Sequence, residues 1–83
     1  MDTTDITIAD DAAAHRFELR LGGEVAAWLE YNVLKEALLL SHTEVKPAFE
    51  GKGFASRLIA FTLDDVRRRG LHAVPVCPFV AAY

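Results

Sequence analysis

Between Val45 and Phe54 the chain changes its hydrophobic period, and this change limits the folds open to it. Upstream, residues 15–21 alternate with period two. Phe17, Leu19 and Leu21 fall on one face and Arg16, Glu18 and Arg20 on the other, the pattern of a half-buried strand. Gly22-Gly23 suits a two-residue hairpin turn. Glu24 to about Tyr31 is then the partner strand, with Val25, Ala27, Leu29 and Tyr31 on one side and Trp28 on the other. Residues 32–35 read as a second turn. Residues 36–45 form a third strand, whose apolar Ala37-Leu-Leu-Leu40 run suits a central position covered on both faces. A short edge strand is expected over 6–8. Pro47 pushes Lys46 toward extended geometry and keeps helix out of this half.

Downstream the period becomes helical. Ala55, Leu58, Ile59, Thr62, Leu63 and Val66 share one stripe, and Gly70 is placed to end the helix as its C′ residue. Residues 72–77 form a short strand, and Pro78 can occupy the first position of another helical turn. Strand, helix and strand in this order predict a right-handed crossover that pairs 36–45 with 72–77 in parallel. The expected fold is α/β (α+β): a mixed sheet with antiparallel N-terminal strands, one main helix after the glycine loop, and a parallel strand pair. No internal boundary divides residues 1–83, which read as a single domain.

At 83 residues the domain buries a small core, which a hydrophobic fraction of 52% sustains. One cysteine excludes an internal disulfide, and the acidic start lacks the basic and apolar regions of a signal peptide. No apolar run is long enough to span a bilayer. A cytoplasmic protein without membrane attachment, monomeric or weakly dimeric, is the expectation. A net charge of −3 argues against general nucleic-acid binding. The charge is unevenly spread: Asp2, Asp5, Asp10 and Asp11 load the first segment. Residues 46–57 carry Lys46, Lys52 and Arg57 against Glu50, three positives less one negative, or +2. Arg67, Arg68 and Arg69 lie at the far end of the helix, where cations complement its dipole.

That local positive balance surrounds Gly51 and Gly53, which permit a tight turn directly before a helix start. The N–H groups of Gly51, Lys52, Gly53, Phe54, Ala55 and Ser56 are candidates to cradle a phosphate or pyrophosphate. The same loop also fits a plain structural turn. It lacks the spacing of a Walker loop and the third glycine of a dinucleotide fingerprint. His42 and Glu44, two apart on the third strand, share a face beside the loop, so His42 is a candidate base with Glu44 to orient it. Both also fit as ordinary strand residues. Cys77 ends a strand before Pro78, where a helix start favours thiolate, although a lone cysteine is also commonly a small buried hydrophobe. One cysteine and three histidines show no metal-ligand spacing, so no metal is expected. No nucleophile elbow is present. Trp28, Phe49 and Phe54 are candidates to line a groove or the core, and His15 and His72 read as structural.

The segment His42-Thr-Glu-Val45, the loop Phe49-Glu-Gly-Lys-Gly-Phe-Ala55 and the ending Val74-Pro-Val-Cys-Pro-Phe-Val-Ala-Ala-Tyr83 resemble the short, single-domain branch of the GNAT acetyltransferases. The likeness covers about Phe17 to Tyr83. The polar residue that usually opens the family's glycine motif is replaced by Ala48. The resemblance implies an acetyl-CoA-dependent N-acetyltransferase acting on an unidentified amine, with coenzyme A or acetyl-CoA as partner. It implies pantetheine inserted between strands 36–45 and 72–77, and the N–H of Val45 polarising the thioester carbonyl. Cys77 would lie at the thioester end of the channel with His42 close to it. Direct transfer with His42 as base and carriage through Cys77 both stay open. The chain is expected to lack helices that build an acceptor pocket in full-length members, so a non-catalytic acyl-CoA-binding module is the alternative. A small interaction domain with no ligand is a third.

Overall fold

The computed structural model describes residues 5–83; Asp2 of the acidic segment lies outside the described residues. Gly22 and Gly23 both take positive φ and join β2 (Arg16–Leu21) to β3 (Glu24–Leu34) as a tight hairpin. The edge strand β1 (Ile6–Asp11) is longer than expected and pairs antiparallel with β2. β3 continues three residues past Tyr31 before a Lys35-Glu36 turn, in which Glu36 takes φ +60. β4 (Ala37–Val45) returns antiparallel to β3. The helix α1 (Phe54–Arg68) then crosses over to β5 (His72–Pro75), parallel to β4, and a single turn α2 (Pro78–Ala81) follows. The sheet order is β1-β2-β3-β4-β5.

Two bulges decide which side chains face the helix. β3 has one extra residue, Ala26, between the pairs Leu19–Ala27 and Arg20–Val25. Val25 therefore shares the face of Arg20, and the expected run of Val25 with Ala27, Leu29 and Tyr31 is corrected. Ser41 is the extra residue of β4, between the pairs Tyr31–Leu40 and Glu30–His42. An inserted residue breaks strict alternation. Without it His42 would share the face of Leu38 and Leu40; with it, Thr43 takes that face.

The core fills the space between this face and α1. Phe17, Leu19, Leu29 and Leu40 are fully buried against Leu58 and Val66. Burying each such side chain contributes about 1.5–3 kcal/mol. The other face of the sheet carries Glu18 clamped between Arg16 (2.7 Å) and Arg20 (2.9 Å). Burial pushes the Glu18 carboxyl up, but the two guanidinium groups outweigh it and hold the carboxyl below its ordinary value. Arg16 also lies over the Trp28 ring at 5.1 Å, and Trp28 Nε1 donates to Glu30.

The far end of α1 closes as expected. Gly70, at φ +72, donates its N–H to Arg67 O, and Leu71 donates to Val66 O. This is the Schellman pattern, which satisfies carbonyls left over at a helix end. Arg69 is more than a dipole complement: its guanidinium reaches Asp10 at 2.8 Å and Asp65 at 2.7 Å. Tyr31 Oη also donates to Asp10, at 2.7 Å, so β1, β3 and α1 are tied together.

Candidate functional site

The site begins where β4 and β5 stop pairing. Their ladder runs from Ala37–His72 to Leu40–Pro75, and Pro75 brings no N–H to extend it. Cys77 N still donates to Leu40 O at 2.8 Å, after which the chain turns away into α2. β4 continues alone on that side through Val45. Lys46 N donates to Ala26 O across to β3, and Ala27 pairs with Val45. Hydrogen-bonded and non-hydrogen-bonded pairs alternate in an antiparallel ladder, so the N–H of Val45 points away from β3 into the gap.

A 3-10 turn over Pro47–Phe49 buries Phe49, which packs against Phe54 with ring centroids 6.3 Å apart. This contact anchors the loop at both ends. Between them Gly51 (φ +78) and Gly53 (φ +74) take left-handed backbone that other residues adopt at a cost of about 1–2 kcal/mol. A Cβ at either would meet nothing within 4 Å, so the glycines supply backbone sign rather than room. Gly53 is the N-cap of α1 and no side chain caps that helix. The first N–H groups of α1, at Phe54, Ala55 and Ser56, are therefore free for another acceptor.

A cleft of about 280 Å³ joins these features. Thr43, Glu44 and Val45 form one wall, Gly51, Gly53, Phe54 and Ala55 another, and Phe79 of α2 stands at its edge. Lys52 is exposed and outside the lining. Ser56 lines a neighbouring apolar groove of about 430 Å³ with Ile59, Pro78 and Tyr83, and Ala55 and Phe79 border both spaces. Phe49 and Phe54 line the cleft and Trp28 does not. Glu50 and Glu44 are the two acidic residues that border it, the Glu44 side chain turning toward His42.

His42 and Cys77 lie in different surroundings. His42 is exposed, with Nε2 3.6 Å from Glu44 Oε2, on the face of β4 opposite Thr43. Cys77 is 2% exposed, and its Sγ lies 3.4 Å from Thr43 Oγ1. The cysteine's polar neighbour on β4 is thus Thr43 rather than the expected His42. Burial pushes the Cys77 thiol up. The Thr43 hydroxyl and the N–H groups of Val80, Phe79 and Thr43 outweigh that and bring it below its ordinary value. Thr43, Glu50 and Phe79 stand in the segments that carry the family resemblance, but nothing there singles them out as site residues. Thr43 and Cys77 are 34 residues apart, and the bulge that aims Thr43 inward is invisible to simple alternation. His15 stacks on Tyr31 at 5.9 Å, and His72 is exposed at the start of β5. Among the described residues no group of three His, Cys, Asp or Glu side chains is placed to hold a metal ion. Nor is any of the helices described there long and apolar enough to cross a membrane.

A family model described as GCN5-related N-acetyl-transferase matches residues 16–83. Protein NATD1 of Xenopus tropicalis is 32% identical over 83 residues, covering 98% of this chain and 76% of that protein. Protein NATD1 of Mus musculus is 34% identical over 80 residues, covering 94% and 73%. Among solved structures, the ribosomal-protein-S18-alanine N-acetyltransferase from Escherichia coli superposes with a TM-score of 0.63 at 20% identity. The match covers 84% of this chain and 40% of that enzyme, and at this identity it speaks for the fold alone.

Proposed function

The chain belongs to the GCN5-related N-acetyltransferase family, and from that premise we propose that it binds acetyl-CoA in the cleft and transfers the acetyl group to an amine. One observation carries the reading. The uncapped start of α1 and the unpaired edge of β4 face the same cleft, so an anion cradle and a strand-like groove are continuous. The N–H groups of Gly51 to Ser56 hold the pyrophosphate, with the helix dipole behind them and Lys52 adding charge from outside. The N–H of Val45 donates to the thioester carbonyl, where negative charge grows as the amine attacks. His42, beside Glu44, takes the amine proton.

Direct transfer agrees better with the geometry than carriage on Cys77, whose sulfur is buried and forms no part of the cleft wall. Holding thioester and amine together removes the need for a carrier by proximity alone. A binding-only module is the second reading. It draws on His42 lying outside the cleft lining. Calorimetric titration with acetyl-CoA tests the shared part: a saturable one-to-one isotherm is expected, and none would leave a ligand-free domain. Thioester loss that depends on an added amine then separates enzyme from module.

A further inference from the structure

We propose that Thr43 passes a proton from the buried Cys77 thiol to the sulfur of a thioester seated in the cleft. The inference rests on the acetyl-CoA reading and deepens it, because it assigns the group that protonates the leaving thiol. Thr43 is 3% exposed, lines the cleft, and has its hydroxyl 3.4 Å from Cys77 Sγ. A hydroxyl carries one donor and two acceptor positions, so it can accept from a thiol on one side while donating on the other. Cys77 is itself shut away from the cleft and reaches it through Thr43.

The amine nitrogen bonds to the acetyl carbon, the carbon–sulfur bond breaks, and its electron pair stays on sulfur. The Thr43 hydroxyl proton moves to that sulfur, and the Cys77 thiol proton moves onto Thr43 Oγ1. Cys77 is left as thiolate, facing the N–H groups of Val80, Phe79 and Thr43. The amine proton leaves through His42 to solvent, and after product departs a solvent proton re-enters the cleft and returns to Cys77 by way of Thr43 Oγ1. Donor and recipient are both sulfur, so the transfer is close to matched in affinity, as general acid catalysis requires.

Among the described residues, the side-chain hydrogen bond of the thiol is to Thr43 and none is to a charged group. The buried stretch of α1 carries Leu58, Ile59 and Thr62; α2 has no ionisable residue, and Tyr83 lies just beyond it. His42 and Glu44 of β4 point to the opposite face, and His72 begins β5 on the face of Ala37 and Leu39.

Two measurements on the whole chain test the relay. Cys77 is the single cysteine, so thiolate ultraviolet absorbance against pH reads its ionisation in the folded protein without reagent access to the buried sulfur and with no cosubstrate present. Thr43→Val is expected to raise the midpoint of that titration by about one pH unit. Thr43→Ser keeps the hydroxyl and should stay within about half a pH unit of wild type, which separates a lost proton path from a disturbed core. Turnover of acetyl-CoA with hydroxylamine as the amine probe should lose roughly a hundredfold in kcat with Thr43→Val. KM should hold, and Thr43→Ser should restore kcat. An active wild type whose Thr43→Val variant keeps its kcat or its thiol titration overturns the relay alone. A wild type that consumes no thioester above the uncatalysed rate overturns the transfer reading, and the relay with it.

Discussion

Placing one negative charge at the N-cap of α1 tests the anion cradle with a magnitude that can be worked out beforehand. Gly53 has φ +74, and a side chain built there meets no atom within 4 Å. Gly53→Asp therefore costs the fold only its left-handed backbone, about 1–2 kcal/mol at most, and Asp and Asn tolerate that region best. An acidic N-cap also favours the helix, so the variant should stay folded. For a pyrophosphate over these N–H groups the effect is opposite in sign. With a carboxylate about 5 Å from one phosphate charge and an effective dielectric near 20, repulsion is about 3 kcal/mol. That is roughly a 200-fold loss of affinity. Gly53→Asn carries the same shape and backbone cost without the charge. Titrating acetyl-CoA into both variants should thus separate them by about two decades, with the gap narrowing as salt shortens the screening length. Equal affinities for the Asp and Asn variants would refute the cradle at this position.

Glu50 lines the same cleft, so Glu50→Gln should tighten acetyl-CoA binding several-fold in low salt, as read by calorimetry. Arg20→Ala should weaken the protein toward acid. The folded Glu18 carboxyl is held below its ordinary value of 4.5, so its stabilisation is complete above that value and lost as pH falls through the lower folded value. Losing one guanidinium moves the acid-unfolding midpoint upward, which circular dichroism would follow. In a Tyr83→Phe background Tyr31 should ionise at about 12, because burial and then Asp10 favour its neutral form. That stabilisation is whole below pH 10 and fades as pH rises toward 12; ultraviolet titration reads it, and Asp10→Asn should bring the midpoint down.

Much of the fold was legible because local chemistry and global position agree. Gly22-Gly23 sits where a hairpin needs positive φ, Gly70 where a helix needs its C′ residue, and Pro47 where strand gives way to loop. The second turn, expected over 32–35, falls instead at Lys35-Glu36, because Glu36 takes a positive φ that its type does not favour and Val33 and Leu34 stay in the strand although they are exposed. The bulges at Ala26 and Ser41 shift one side-chain register each, and nothing in an alternating pattern announces an inserted residue. The loop half of the site could be read from Gly51 and Gly53 because its residues are contiguous. The Thr43–Cys77 contact could not, because it depends on β5 ending at Pro75 and on the bulge at Ser41.

Acetyl-CoA added to isotopically labelled protein, followed by backbone amide NMR, tests the central claim most directly. Binding in the cleft moves the amides of Val45 and of Gly51 through Ser56 together and saturably, with Arg67 to Gly70 at the other end of α1 unaffected. Shifts confined to other surfaces, or none at saturating acetyl-CoA, would contradict it.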